Sequence, residues 1–401
     1  MRRNSFGFIA LAFTLALPTP GLPQSSSSSL VSNSGRRELK AIRDKANSGS
    51  PEAQYQLGRA YHSGQGVDKS DFEAMRWFQL AANSGHTDAQ NDLAFLYETG
   101  PDGLKDMAEA LKWYKRAAVY GNAMAQFNIG RLYLHGQGVQ QSIDESLRWI
   151  RKSVDAGCPE ALTALAAMYA TGQGVPQDPH QALKLTKKAI KLHSPEAEAV
   201  LGLFYAEGLG VPKNFEESAK WLKKAVQSGS ATGQWDLGLL YESGQGVEKN
   251  TDEAIRLYRL AAEQGVTEAM AHLGQIYDFG KGVPLDRKKA VAWYRQAANK
   301  GDAKSATQLA SLLFFGQGVD KNTEEAVKLW TRAAEKGDAY AQFNLASLYV
   351  SGTGVRCDLQ KAYSLFTLAG KTLDVSKQLN QISSLLNREQ SAASQPNALQ
   401  Q

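Results

Sequence analysis

A spacing of 36 residues constrains this chain more than any other feature. A small residue recurs at Ala53, Ala89, Ala125, Ala161, Ala197, Gly233, Ala269, Ser305 and Ala341, each 36 positions after the last, without a slip. Nine copies at one stride mean a single supersecondary unit laid down repeatedly, in which no copy can bury its apolar face without its neighbours. A length of 401 residues would otherwise suggest two or three globular domains. With 43% hydrophobic residues, there is ample apolar surface for one continuous core along a stack.

Each unit reads as two helices. Four residues after the small residue comes an apolar one, from Leu57 and Leu93 to Leu345. Gly or Ala follows, and three further on usually Tyr, with Leu313 the exception. Steps of four, one and three share one face of a helix, here named helix A. Paired glycines follow, as Gly-Gln-Gly-Val at Gly64, Gly136, Gly172, Gly244 and Gly316, and they predict a helix end with positive φ. Helix B comes next, its first turn carrying acids or a cap residue (Asp71, Asp144, Thr251, Thr323). Ala74, Ala110 and their equivalents mark its close contact. A bulky residue three on, such as Trp77, Trp113 or Trp293, lies near the core. A glycine closes most units. Unit four has His193 there, and its junction is expected to differ.

The ends read differently. Arg2 and Arg3 precede the largely apolar run Phe6–Leu17, which stops at Pro18; this is the layout of a secretory signal peptide, too short to span a bilayer. Five consecutive serines follow, a composition with little to bury. The expected organisation is a signal peptide over 1–23, a flexible linker over 24–36 and an N-terminal cap helix over 37–52. Nine repeats then fill 53–372 in 36-residue steps, before a C-terminal cap helix over 373–388 and a disordered tail over 389–401. Export to the periplasm or medium follows, with no stable membrane insertion after cleavage. Cys158 and Cys357, the two cysteines, exclude a disulfide framework. They lie more than five units apart and are expected to be free or to pair between molecules.

The pattern L-G-x-x-Y, G-x-G-V, A-x-x-W, A-A-x-x-G resembles the Sel-one-like repeat family, relatives of tetratricopeptide repeats, over roughly Arg37 to Gly370. The resemblance implies an all-α fold: an α-solenoid, a right-handed superhelix of about nine helix-turn-helix repeats with cap helices at both ends. It also implies a scaffold or adaptor that holds a protein or peptide partner in a concave groove, in envelope regulation or host interaction. A branch of the family linked to penicillin binding and β-lactam hydrolysis pairs two cysteines in each repeat. This chain lacks those pairs, so that activity is not carried over.

By analogy with tetratricopeptide packing, helix A lines the groove. Its variable stripe falls two before, two after and five after the recurrent Leu. The first position gives Tyr55, Asn91, Phe127, Thr163, Ala199, Trp235, Ala271, Thr307 and Phe343. The second includes Arg59, Arg131, Leu203, Leu239 and Gln275, and the third Glu98, Glu242 and Asp278. Tyr55, Arg59, Phe127, Arg131, Leu203, Trp235, Leu239 and Phe343 are the candidate groove residues. Trp235 alone among seven tryptophans sits on helix A. Substituting Trp235 or Leu203 is expected to weaken partner capture while sparing the melting temperature. Asn128 and Asn344 could hold a peptide backbone.

Catalytic, cofactor and metal sites are not expected. The six histidines lack ligand spacing, and the repeated G-x-G follows a helix rather than a strand, which makes it turn chemistry. A net charge of +5 with basic clusters on helix B reads as a solvated face, and no nucleic acid is expected. Two rivals stand beside the scaffold. One is an envelope enzyme or cell-wall-binding protein, β-lactam or glycan related, that uses the groove carboxylates. The other is a lattice component that self-associates through its caps.

Overall fold

The computed structural model describes residues 33–101 and 103–393. The signal peptide and most of the linker and tail lie outside them. Contacts divide the chain into two compact units, the first ending at Gly233 and the second starting at Gln234. The first holds α1 (Asn33–Asn47), α2 (Pro51–Ser63), α3 (Asp71–Asn83), α4 (Thr87–Thr99), α5 (Met107–Val119) and α6 (Ala123–His135). It continues with α7 (Ile143–Asp155), α8 (Pro159–Thr171), α9 (Pro179–Lys191), α10 (Pro195–Glu207) and α11 (Phe215–Gln227). The boundary falls inside α12 (Ala231–Ser243). The second unit holds α13 (Thr251–Glu263), α14 (Thr267–Phe279), α15 (Arg287–Asn299), α16 (Ala303–Phe315), α17 (Thr323–Glu335), α18 (Ala339–Ser351), α19 (Leu359–Ala369) and α20 (Ser376–Ala393). Among the described residues there is no strand, and each unit is an α-solenoid array of helical hairpins. From α2 to α18, even numbers are helices A and odd numbers helices B.

Helices of 13 residues are marginal alone, so their ends and their packing must hold them. The residue before each helix B caps it: Ser70 accepts from the backbone N–H of Glu73, and Asn250 from that of Glu253. The cap thus stands one or two residues ahead of the Asp71, Asp144, Thr251 and Thr323 that the sequence singled out. The N–H of that same cap residue donates to the carbonyl of the recurrent Tyr in helix A, as from Ser70 to Tyr61 and from Asp286 to Tyr277. One residue therefore starts helix B and ties it to helix A. Buried glutamines tie each repeat to the helix before it: Gln54 donates to the carbonyl of Ala46 on α1, and Gln90, Gln126 and Gln342 to those of Ala82, Ala118 and Ala334 near the end of the preceding helix B.

In most repeats the deepest bulky residue of helix B is one place beyond the tryptophan position. Phe78, Tyr114, Ile150, Tyr258 and Tyr294 are buried, whereas Trp77, Trp149, Trp221 and Trp293 are half-buried; Trp113 and Leu257, at the expected position, are buried as well. Lys152 and Lys224 lie over the Trp149 and Trp221 rings at 4.5 and 4.3 Å. The glycine after the recurrent Leu explains the difference: a Cβ on Gly58, Gly238 or Gly274 would meet the Phe78, Tyr258 or Tyr294 ring at 2.6, 2.5 and 2.5 Å. His193 does not change its junction. It takes φ 59° where other units have glycine, and its N–H donates to Ile190 as the N–H of Gly85 does to Ala82.

At the ends, α1 begins at Asn33, inside the stretch assigned to the linker, and buries Ala46. Helix α20 buries Ile382 and runs to Ala393, past the expected start of the tail. No described helix is long and apolar enough to cross a membrane.

Candidate functional site

In the first unit the helix A stripe forms a closed polar ladder. The half-buried Tyr55 hydroxyl donates to Asp92 Oδ2 at 3.1 Å, Asn91 Nδ2 to Asp92 Oδ1 at 3.0 Å, and Asn128 Nδ2 to Asn91 Oδ1 at 3.0 Å. Burial raises the Asp92 carboxyl above its usual range, opposed by its hydrogen bonds from Asn91 and Tyr55. Arg59 is exposed, its guanidinium 5.9 Å from the Tyr55 ring centre. Further along, Arg131 is buried against Glu98, with Nη2 2.6 Å from Oε1. Phe127 is wholly buried in a cluster with Ala161, Ala164 and Met168 of α8. The alanines of α8 let it approach α6 closely, so Phe127 and Arg131 are interior side chains and not groove anchors. Asn128 is likewise buried and engaged, so it presents nothing to a peptide backbone. Leu203 is half-buried on α10.

The groove carboxylates have a structural partner. Glu98, Glu242 and Asp278 hold one repeat position, and those three repeats alone carry Tyr sixteen residues later, at Tyr114, Tyr258 and Tyr294. Tyr114 Oη donates to Glu98 at 3.0 Å and Tyr258 Oη to Glu242 at 2.6 Å. The acid satisfies a phenol that helix B buries. A cationic or imidazole group from the next repeat completes both pairs: Arg131 on Glu98, and His272 on Glu242 at 2.8 Å. The His272 ring, followed by the Tyr258 hydroxyl, holds the Glu242 carboxyl below its usual range. Asp278 is one methylene shorter. Tyr294 Oη finds no hydrogen-bond partner, and Arg287 Nε lies 3.6 Å from Asp278.

In the second unit the stripe opens into a cleft of about 440 Å³. Trp235, Ala271 and Thr307, successive members of one predicted stripe, line it together with Gln275 of another. Trp235 is half-buried, its ring centre 5.0 Å from Tyr258 and 5.6 Å from His272. Leu239 packs on the same core without lining the cleft, and Phe343 lies 5.3 Å from Phe366. Because Trp235 packs on core residues, its removal costs stability as well as surface. Much of the remaining lining comes from the starts of helices A: Glu268, Asp302, Lys304, Ser305, Asp338 and Tyr340; Tyr294 of α15 lines it as well. Tyr340 is 64% exposed. The sequence reading, taken from mid-helix, missed these residues. Their signal was Gly-Asp-Ala at 301–303 and again at 337–339, where other repeats begin with Ser, His, Asn, Cys or Val.

Among the described residues no three His, Cys, Asp or Glu side chains converge as metal ligands. Cys158 is buried and Cys357 exposed, both free.

The profile of the Sel1 repeat family matches residues 51–86, 87–118, 123–158, 159–194, 195–230, 231–266, 267–302, 303–338 and 339–371. Among solved structures, a protective antigen present in uropathogenic Escherichia coli strains is 32% identical over 86% of this chain and 82% of that chain, with a TM-score of 0.43. A Sel1 repeat protein from Oxalobacter formigenes is 30% identical over 78% of this chain and 91% of that one, with a TM-score of 0.49. Immunity protein Pa5087 from Pseudomonas aeruginosa is 25% identical over 54% of this chain and 82% of that one, with a TM-score of 0.42. No curated protein matches the chain.

Proposed function

The chain belongs to the Sel1 repeat family, whose members generally serve as protein-interaction scaffolds, and from that premise we propose an exported, non-enzymatic adaptor. It holds a protein or peptide partner against the helix A face of the second unit. The cleft carries this reading: four consecutive helices A, α12, α14, α16 and α18, contribute to one concavity with an exposed aromatic ring on its lining. Exposed aromatic side chains at a concave surface are the usual anchors of a partner. The charged N-terminus followed by an apolar run supports export. Glu98 and Glu242 are held by tyrosine and by Arg131 or His272, contacts that account for these carboxylates by the packing of the repeats.

Photo-crosslinking tests the reading. Replacing Tyr340 by p-benzoylphenylalanine keeps an aromatic side chain at the cleft in the full chain, expressed in its source cells. A discrete partner adduct is expected there and not from Lys328, an exposed residue of α17. Equal adducts at both positions, or adducts from Lys328 alone, would refute the assignment.

A further inference from the structure

We propose that the second-unit cleft receives a cationic side chain, the guanidinium or ammonium of an Arg or Lys in the partner peptide. This rests on the groove assignment above and adds the chemistry of what the groove holds.

Three observations converge. First, the chain shows twice how this repeat position is completed. The Tyr114–Glu98 pair takes the Arg131 guanidinium, and the Tyr258–Glu242 pair takes His272. In the third copy, Tyr294–Asp278, the residues equivalent to Arg131 and His272 are Ser311 and Gln308. Neither brings a charge, so the next repeat gives Asp278 no cation and leaves it only Arg287 of its own hairpin, with Nε 3.6 Å away; Tyr294 lines the cleft with no hydrogen bond from its hydroxyl within 3.5 Å. Second, the cleft is lined by more acid than base. Asp302 Oδ2 accepts from the N–H of Ser305, and Asp338 Oδ1 accepts from the N–H of Ala341 and from Thr307. Each carboxylate thus keeps one oxygen that no helix cap uses. Glu268 is exposed beside them, and Lys304 is the one opposing cation in the lining. Third, the walls suit a cation. Trp235 and Tyr340 offer aromatic faces. The hydroxyls of Tyr294 and Ser305, on residues 1% and 2% exposed, have no partner and can accept from N–H donors. An anionic or purely apolar peptide would leave these carboxylates facing like charge or no charge at all.

The test is selection of random heptapeptides displayed on phage against the full-length protein, followed by fluorescence anisotropy with the labelled winners. Enrichment of Arg or Lys at one position is expected. Binding should fall about tenfold or more in Glu268→Gln/Asp302→Asn/Asp338→Asn, in which Asn still caps both helices. A similar loss is expected from Tyr340→Ala. Gln308→Arg, which gives the third pair a cation from the next repeat in addition to Arg287, should compete with the peptide. Winners without a basic residue that still depend on Tyr340 would overturn the cation and leave the groove standing. Basic winners indifferent to every one of these variants would overturn the cation site, as would the absence of any enrichment. The groove itself then stands or falls on the Tyr340 crosslink.

Discussion

Burial separates two thiols that the sequence could not tell apart. Cys158 caps α8 from a buried position, with its thiol donating to Glu160 at 3.1 Å. Burial, then the Glu160 charge, pushes that thiol up to about 12. Cys357 is exposed. Alkylation of the native protein at pH 8 should modify Cys357 at the ordinary rate and Cys158 roughly 100-fold more slowly or not at all, because the thiolate is the nucleophile. Peptide mapping showing equal labelling would contradict this. Asp92 poses the opposite problem, a carboxylate buried with two donors and no cation at bonding distance. Its folded pKa lies above the unfolded one, about 3.9. Its contribution is therefore full below that value and is lost as pH rises through the folded pKa. Asp92→Asn should stabilise the protein by on the order of 1 kcal/mol at pH 8, and the gain should shrink toward pH 4. The ladder can accommodate the amide by reversing its polarity, since Asn128 Oδ1 is free to accept. Melting curves of both proteins across that range decide it: a gain that is flat with pH would place the raised carboxyl elsewhere.

At the scale of the element, the stride and the Leu, Gly, Tyr spacing made the helices readable in full, because every copy repeats the same burial pattern. Which side chain fills the core was less readable. Trp77 and Phe78 are neighbours of similar bulk, and only the approach of Gly58 to the Phe78 ring decides between them. The candidate site was half legible. Trp235, Ala271, Thr307 and Gln275 were found from periodicity. Asp302, Asp338 and Tyr340 were not, because a helix cap looks structural until two repeats place their caps on one concavity. Phe127 failed for a related reason: what covers it is α8, whose alanines carry no sign of how closely they pack. The second glycine of each loop shows the same dependence on a neighbour. Gly318 and Gly337 both have positive φ, 74° and 86°. A Cβ on Gly337 would meet nothing within 4 Å, whereas one on Gly318 would lie 2.5 Å from the Arg287 backbone. Gly337→Ala should cost about 1–2 kcal/mol, the left-handed penalty alone. Gly318→Ala should cost at least roughly twice as much, since backbone cannot rotate out of the way. Equal losses in urea titrations would show that the loop does not seat on α15.

For the molecule as a whole, the repeat determines how far any such change can be felt. A compact globule shares one core, so a strained residue loosens all of it. In each unit here a helix packs mainly on its immediate neighbours, and stability is close to a sum of repeat and interface terms. The clash of Gly318→Ala lies between the loop after α16 and the start of α15. Its cost should therefore appear as local opening. Native-state hydrogen exchange of the full chain should speed up by about tenfold or more through α15, α16 and α17 while α4 to α6 exchange at the wild-type rate. The same experiment bears on the cleft, because α16 supplies Asp302, Ser305 and Thr307 to its wall. Peptide binding should weaken with the opening of α15 to α17, although Gly318 is not part of the lining. Uniform acceleration across both units would mean that the chain unfolds as one cooperative body. The groove could then not be perturbed one repeat at a time.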